Sequence, residues 1–121
     1  MLESSKPHRA SLSELVDSIV ALNDQAREDG LLSLEDKIPE LSSDFLKIAI
    51  QLLVDGCETE EIEQVLRTVR HADGRTGSEQ VERMMIEAGV LAIHRGTNSR
   101  MLKTILAAYL GEEAALKATL E

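Results

Sequence analysis

The stretch Phe45–Leu66, FLKIAIQLLVDGCETEEIEQVL, decides the fold. Its first half is apolar on nearly every helical face: Phe45, Leu46, Ile48, Ala49, Ile50, Leu52, Leu53 and Val54. Asp44, Lys47, Gln51 and Asp55 interrupt it at spacings of three and four, which makes one narrow polar stripe. A helix so apolar around its circumference is buried on most sides, and the rest of a small domain must wrap it. Gly56 stands where a helix needs a left-handed stop, and Glu58 and Thr59 offer a cap to the next helix. That next helix shows a single apolar face, Ile62, Val65, Leu66 and Val69, at i, i+3, i+4 and i+7.

Forty residues on, the pattern returns. Gly96 answers Gly56, Asn98 and Ser99 answer Glu58 and Thr59, and Leu102, Ile105, Leu106 and Tyr109 answer Ile62, Val65, Leu66 and Val69. The helix before Gly96 is again apolar on a wide front, with Val81, Met84, Met85, Ala88, Val90, Leu91, Ala92 and Ile93. Helix–Gly–helix hairpins share such features generically. The alternative is two equivalent hairpins packed together as the core; two units are too few for a solenoid, which needs about three or more. Either way the expected fold is all-α, a small bundle of about five or six helices built on two helix–Gly–helix hairpins.

Outward from the core, residues 1–10 read as a flexible lead-in and 11–110 as a single helical domain. Within it, 11–70 form a first block, 71–80 a hinge and 81–110 a second block, with 111–121 as a tail. Ser11 and Glu14 have capping-box spacing, so the first helix is expected to start there and run to about Asp29. Its apolar face is Leu12, Leu15, Ile19, Leu22 and Ala26, its polar face Glu14, Asp17, Ala21, Asp24 and Glu28, and Gly30 ends it. Leu31–Leu41 fits a short helix capped by Ser33 and stopped near Pro39. Glu63 and Arg67 have the spacing of an i, i+4 ion pair. Thr76 and Glu79 suggest a second capping box after the glycine-rich turn HADGRTGSEQ. Gly89, inside the following helix, suggests the close approach of a neighbouring backbone.

The 121 residues suit one domain with a real core, and 43% hydrophobic content is ordinary for a globular chain. The longest apolar runs are about ten residues, half of what a bilayer span requires, so no membrane helix is expected. A lone cysteine, Cys57, has no internal disulfide partner and fits a reducing cytoplasm. The net charge of −9 argues against nucleic acid as a partner. Charge is uneven: nine acids against two lysines from Glu35 to Glu63, but seven bases against four acids from Arg67 to Lys103.

No catalytic constellation emerges, and no enzyme is expected. His8, His71 and His94 are scattered; His94 reads as a partner of a helix C-terminus, and Cys57 has no histidine near it in sequence. Asp73-Gly-Arg-Thr-Gly77 departs from a calcium loop at its third and fifth positions, and Gly74–Gly77 lacks the lysine of a phosphate loop. Neither metal nor cofactor nor small-molecule ligand is expected. Met84-Met85 reads as core, although methionine also serves adaptable binding surfaces.

The segment Ala26-Arg-Glu-Asp-Gly-Leu-Leu-Ser-Leu-Glu-Asp36, followed by Asp44-Phe-Leu-Lys47, Leu52-Leu-Val-Asp-Gly56 and Glu60-Glu-Ile62, resembles a cytoplasmic segment of the bacterial flagellar stator family MotA. Met85-Ile-Glu-Ala-Gly-Val-Leu-Ala-Ile-His-Arg-Gly96 with Asn98-Ser-Arg100 resembles that family's C-terminal cytoplasmic segment. In the family a pair of membrane helices precedes the first block and another separates the two; here His71–Gln80 stands where the second pair would be. A fusion of two cytoplasmic segments and a soluble relative would both read this way. What the resemblance implies is a cytoplasmic, rotor-contacting role in motility, chemotaxis and torque generation, without the ion path shared with MotB. The family's Arg and Glu that engage charged residues of the rotor protein FliG align with Arg27 and Glu35. Both sit beside helix ends across Gly30, where replacement is expected to change stability by less than about 0.5 kcal/mol. A helical adaptor related to the stator but binding another partner is the alternative.

Overall fold

The computed structural model describes residues 9–121, with side chains from Ser11 onward. Six α-helices and two 3-10 stretches make up the described residues, with no strand among them. They are α1 (Arg9–Asp29), a 3-10 segment (Leu31–Glu40), α2 (Asp44–Val54), α3 (Thr59–Asp73), α4 (Ser78–Arg95), α5 (Ser99–Ala107), a 3-10 turn (Ala108–Leu110) and α6 (Glu112–Leu120). The all-α bundle expected from periodicity is what forms. Residues 111–121, read as a tail, hold α6, which packs on α5.

The forty-residue correspondence is geometric as well as sequential. Gly56 and Gly96 have φ of 80° and 78°. Cys57 N–H donates to the Leu52 carbonyl at 3.1 Å, and Thr97 N–H donates to the Ala92 carbonyl at 3.0 Å, the same six-residue closure of a helix C-terminus. Glu58 and Asn98 are the next N-caps. Asn98 Oδ1 accepts from Met101 N–H at 2.8 Å, and Glu61 Oε1 accepts from Glu58 N–H at 2.8 Å. Behind each cap the paired positions Ile62 and Leu102, and Leu66 and Leu106, are fully buried. The hairpins meet through α4, which packs on α2 and α3 as well as on α5 and α1.

α2 is enclosed as its composition requires: Phe45, Leu46, Ala49, Ile50 and Leu53 are buried, while Asp44, Gln51 and Asp55 stay in solvent. Ile48 is exposed, so the enclosure has one open side. The more central element is α4, which buries Arg83 and Glu87 with its apolar residues. Arg83 pairs with Asp73 at 2.6 Å and lies 4.7 Å over the Phe45 ring; Glu87 pairs with Arg70 at 2.9 Å. Arg70 therefore bridges to α4, and no ion pair joins Glu63 to Arg67 among the described residues.

Several local expectations are corrected. α1 is already helical at Arg9, so Ser11 and Glu14 lie inside it and cap nothing; residues 1–8 of the lead-in lie outside the described residues. Ser33 does not cap the 3-10 segment, which begins at Leu31; its hydroxyl donates to the Gly30 carbonyl at 2.7 Å. Of residues 71–80, expected to be a hinge, only Gly74–Gly77 lie between α3 and α4; Gly74 and Gly77 have φ of 61° and 63°, and the Arg83–Asp73 and Arg70–Glu87 pairs tie the two helices together. Thr76 is outside α4, whose N-cap is Gly77, and Glu79 meets Arg75 at 3.7 Å instead of closing a capping box. Met85 is core but Met84 is exposed.

Gly89 does mark a close approach, by a side chain and not by a backbone. A Cβ there would lie 2.8 Å from Ile19 Cγ2 and 3.2 Å from its Cδ1. The nearer carbon is on the β-branch of a fully buried side chain, so it yields only if the whole residue turns. Gly89→Ala gains about 1 kcal/mol of helix propensity and loses about 1–3 to overpacking, so a net loss of about 1 kcal/mol is expected in urea melts. A more stable variant would show that α1 has room to move away.

Candidate partner-contact site

Gln25 and Ser33 set the geometry around the two candidate residues. Gln25 Nε2 donates to the Ser33 carbonyl at 2.8 Å, and Leu34, fully buried, anchors the 3-10 segment under α1. Glu35, Asp36 and Lys37 then stand on the solvent side, as do Asp24, Arg27, Glu28 and Asp29 at the end of α1. Arg27 and Glu35 are thus both exposed on adjoining elements, and no ion pair joins them. Five exposed carboxylates against two cations make this stretch strongly acidic, a surface suited to steering a charged partner.

Arg27 has a further role that its sequence position did not disclose. Its Nη1 donates to the Gly96 carbonyl at 2.6 Å, 69 residues away. One turn earlier on α1, Asn23 is fully buried and donates from Nδ2 to the Thr97 carbonyl at 2.8 Å and to Ser99 Oγ at 3.0 Å. Ser99 Oγ in turn donates to Asp24 Oδ1. α1 therefore grips the turn of the second hairpin with three side chains. A signal for this was present: Asn23 falls four residues after Ile19, a polar side chain on the apolar face of a helix. With a carbonyl depending on it, Arg27 is no longer expected to be neutral to stability; its removal should cost about 1 kcal/mol.

Among the described residues, His71, His94 and Cys57 do not assemble. His71 is exposed, His94 Nδ1 is 3.4 Å from Thr59 Oγ1 in the last turn of α4, and His8 lies outside the described residues. Loss of hydration, with the Glu61 and Asp55 carboxylates adding to it, raises the Cys57 thiol above its ordinary range and keeps it protonated. Among the described residues no three His, Cys, Asp or Glu side chains converge as a metal site, and no helix is long and apolar enough to cross a membrane.

No protein-family model matches the chain. It is 38% identical over 71 residues to the uncharacterized protein YtxD of Bacillus subtilis (strain 168), covering 54% of this chain and 26% of that one. It is 36% identical over 52 residues to motility protein A of Borreliella burgdorferi, covering 43% and 20%. To motility protein A of Cereibacter sphaeroides it is 34% identical over 68 residues, covering 55% and 26%. The chain thus spans about a quarter of the length of these curated relatives. Over about half of its own residues it bears a partial, MotA-like relationship to the motility proteins.

Proposed function

We propose that this chain is a helical protein-interaction domain working in motility, equivalent to the cytoplasmic, rotor-contacting part of MotA. On this reading it acts at the cytoplasmic face, carries out no catalysis and needs no cofactor. Its partner is the rotor protein FliG, met through charged contacts at Arg27 and Glu35. The observation that carries the reading is the similarity to several motility A proteins over about half the chain. Exposure of Arg27 and Glu35 on adjoining elements is consistent with it. Exposed ion pairs are weak, about 0.2–1 kcal/mol each, which suits a partner that must be released as readily as it is held.

The second reading is an adaptor that binds another protein. On that reading the bond from Arg27 to the Gly96 carbonyl serves the chain itself and prepares no rotor contact.

Arg27→Glu, tested against purified FliG from the same cell, separates the two readings. Reversal removes an attraction and adds a repulsion, so binding should weaken by about 1 kcal/mol or more, less in high salt where exposed charges are screened over about 8 Å. A compensating reversal on FliG should restore it, measured in all four combinations. Equal affinity in all four would leave Arg27 out of the interface and favour the adaptor.

A further inference from the structure

We propose that Asn23 is a positioning residue for Arg27: it pins the Gly96–Ser99 turn to α1, and the pinned Gly96 carbonyl holds the guanidinium ready for an anionic partner. This rests on the reading of Arg27 as a partner contact, and it adds the device that prepares that contact.

Gly56–Thr59 and Gly96–Ser99 share glycine conformation and helix closure. α1 treats them differently. Among the described residues no side chain of α1 is bonded to the first, whereas Asn23, Asp24 and Arg27 all reach the second. Asn23 does so from a fully buried position through both Nδ2 bonds, while its buried Oδ1 has no partner, so the two bonds to the turn are what hold its register there. Arg27 is exposed and would by itself be free to sample many rotamers.

Arginine carries five N–H donors in a rigid fork. Only Nη1 has a partner among the described residues, the Gly96 carbonyl at 2.6 Å. The remaining donors stay available to a carboxylate, which can then be met by a side chain already immobilised. Ordering a long side chain on binding costs an amount equivalent to a few-fold in affinity, and here that ordering precedes binding. Partner binding and docking of the second hairpin on α1 should therefore reinforce each other, by equal factors in the two directions.

The test has two arms. In the first, hydrogen exchange of the isolated protein is followed at the Thr97 and Leu102 amides, which close the turn and open α5. Arg27→Gln should speed their exchange about fivefold, the weight of one hydrogen bond, while amides in α2 keep their rates. Unchanged exchange at Thr97 and Leu102 would overturn the proposal. The second arm measures affinity for purified FliG by wild type, Asn23→Ala, Arg27→Gln and the double variant, with Ser99→Ala as a second way of loosening the turn should Asn23→Ala unfold. Asn23→Ala should weaken binding about two- to tenfold when Arg27 is present and add nothing when it is absent. Losses that simply multiply would make Asn23 a purely structural residue and overturn the proposal. If the wild type does not bind FliG at all, the rotor reading fails while the exchange arm still decides whether the Gly96 carbonyl orders Arg27.

Discussion

Leu53→Ala is expected to lower the unfolding free energy by about 2–5 kcal/mol. Leu53 is 1% exposed on α2, beside buried Ala49 and Ile50, on the helix that packs against the 3-10 segment, α3 and α4. Removing its isopropyl end loses the transfer free energy of three carbons and opens a void. Neighbours anchored in three other elements cannot close around that void together. For a domain of this size the loss is a large part of a total stability of about 5–15 kcal/mol. Ile48→Ala supplies the control: it lies on the same helix and is comparably apolar, but it is 38% exposed, so less than about 1.5 kcal/mol is expected. Urea melts of both variants, with the slope unchanged, test the difference. A change under 1 kcal/mol for Leu53→Ala, or equal changes for the two, would show that α2 is not enclosed as described.

The second large effect concerns the charged pair between α3 and α4. Glu87→Ala is expected to destabilise by about 2–4 kcal/mol, because it leaves Arg70 largely desolvated without its carboxylate. The side chains are 14% and 11% exposed, so enough water reaches the pair to keep the loss below that of a fully enclosed one. Replacing both, with Arg70→Met and Glu87→Leu, should recover most of the loss, since two apolar chains of similar volume carry no desolvation cost. The cycle of single and double variants should therefore show strong coupling, of about 1–3 kcal/mol. Losses that add would mean that the pair behaves as a solvated surface contact. The outcome also bears on the Gly74–Gly77 connection, because Arg70–Glu87 and Arg83–Asp73 are what tie α3 to α4 on either side of it.

What the sequence by itself determined is what local chemistry controls. Gly56 and Gly96 stop their helices because a left-handed residue is cheapest as glycine, and the Asn98 cap bonds a backbone N–H three residues away. Helical spacing puts Ile62, Leu66, Leu102 and Leu106 on buried faces, but Val65 and Tyr109, expected on the same faces, are exposed: they sit at the edge of the contact, Tyr109 already beyond the end of α5. Local signals misled where another local arrangement won. Ser11 and Glu14 have the spacing of a start signal, but the helix is already formed at Arg9, and Glu79 pairs with Arg75 rather than capping α4. Arg27 is exposed near the end of α1 and Glu35 midway along the 3-10 segment, and the proposal that they meet a rotor comes from resemblance alone.

The tertiary structure alone decided where side chains with more than one possible partner go. Arg83 and Glu87 are charged residues that periodicity assigns to solvent as readily as to a core; they are buried because Asp73, Phe45 and Arg70 happen to face them. Asn23 and Arg27 reach residues more than 65 positions away. No pattern within α1 specifies those contacts, because a hydrogen bond is directional and short, and its partner is fixed only once the second hairpin has docked.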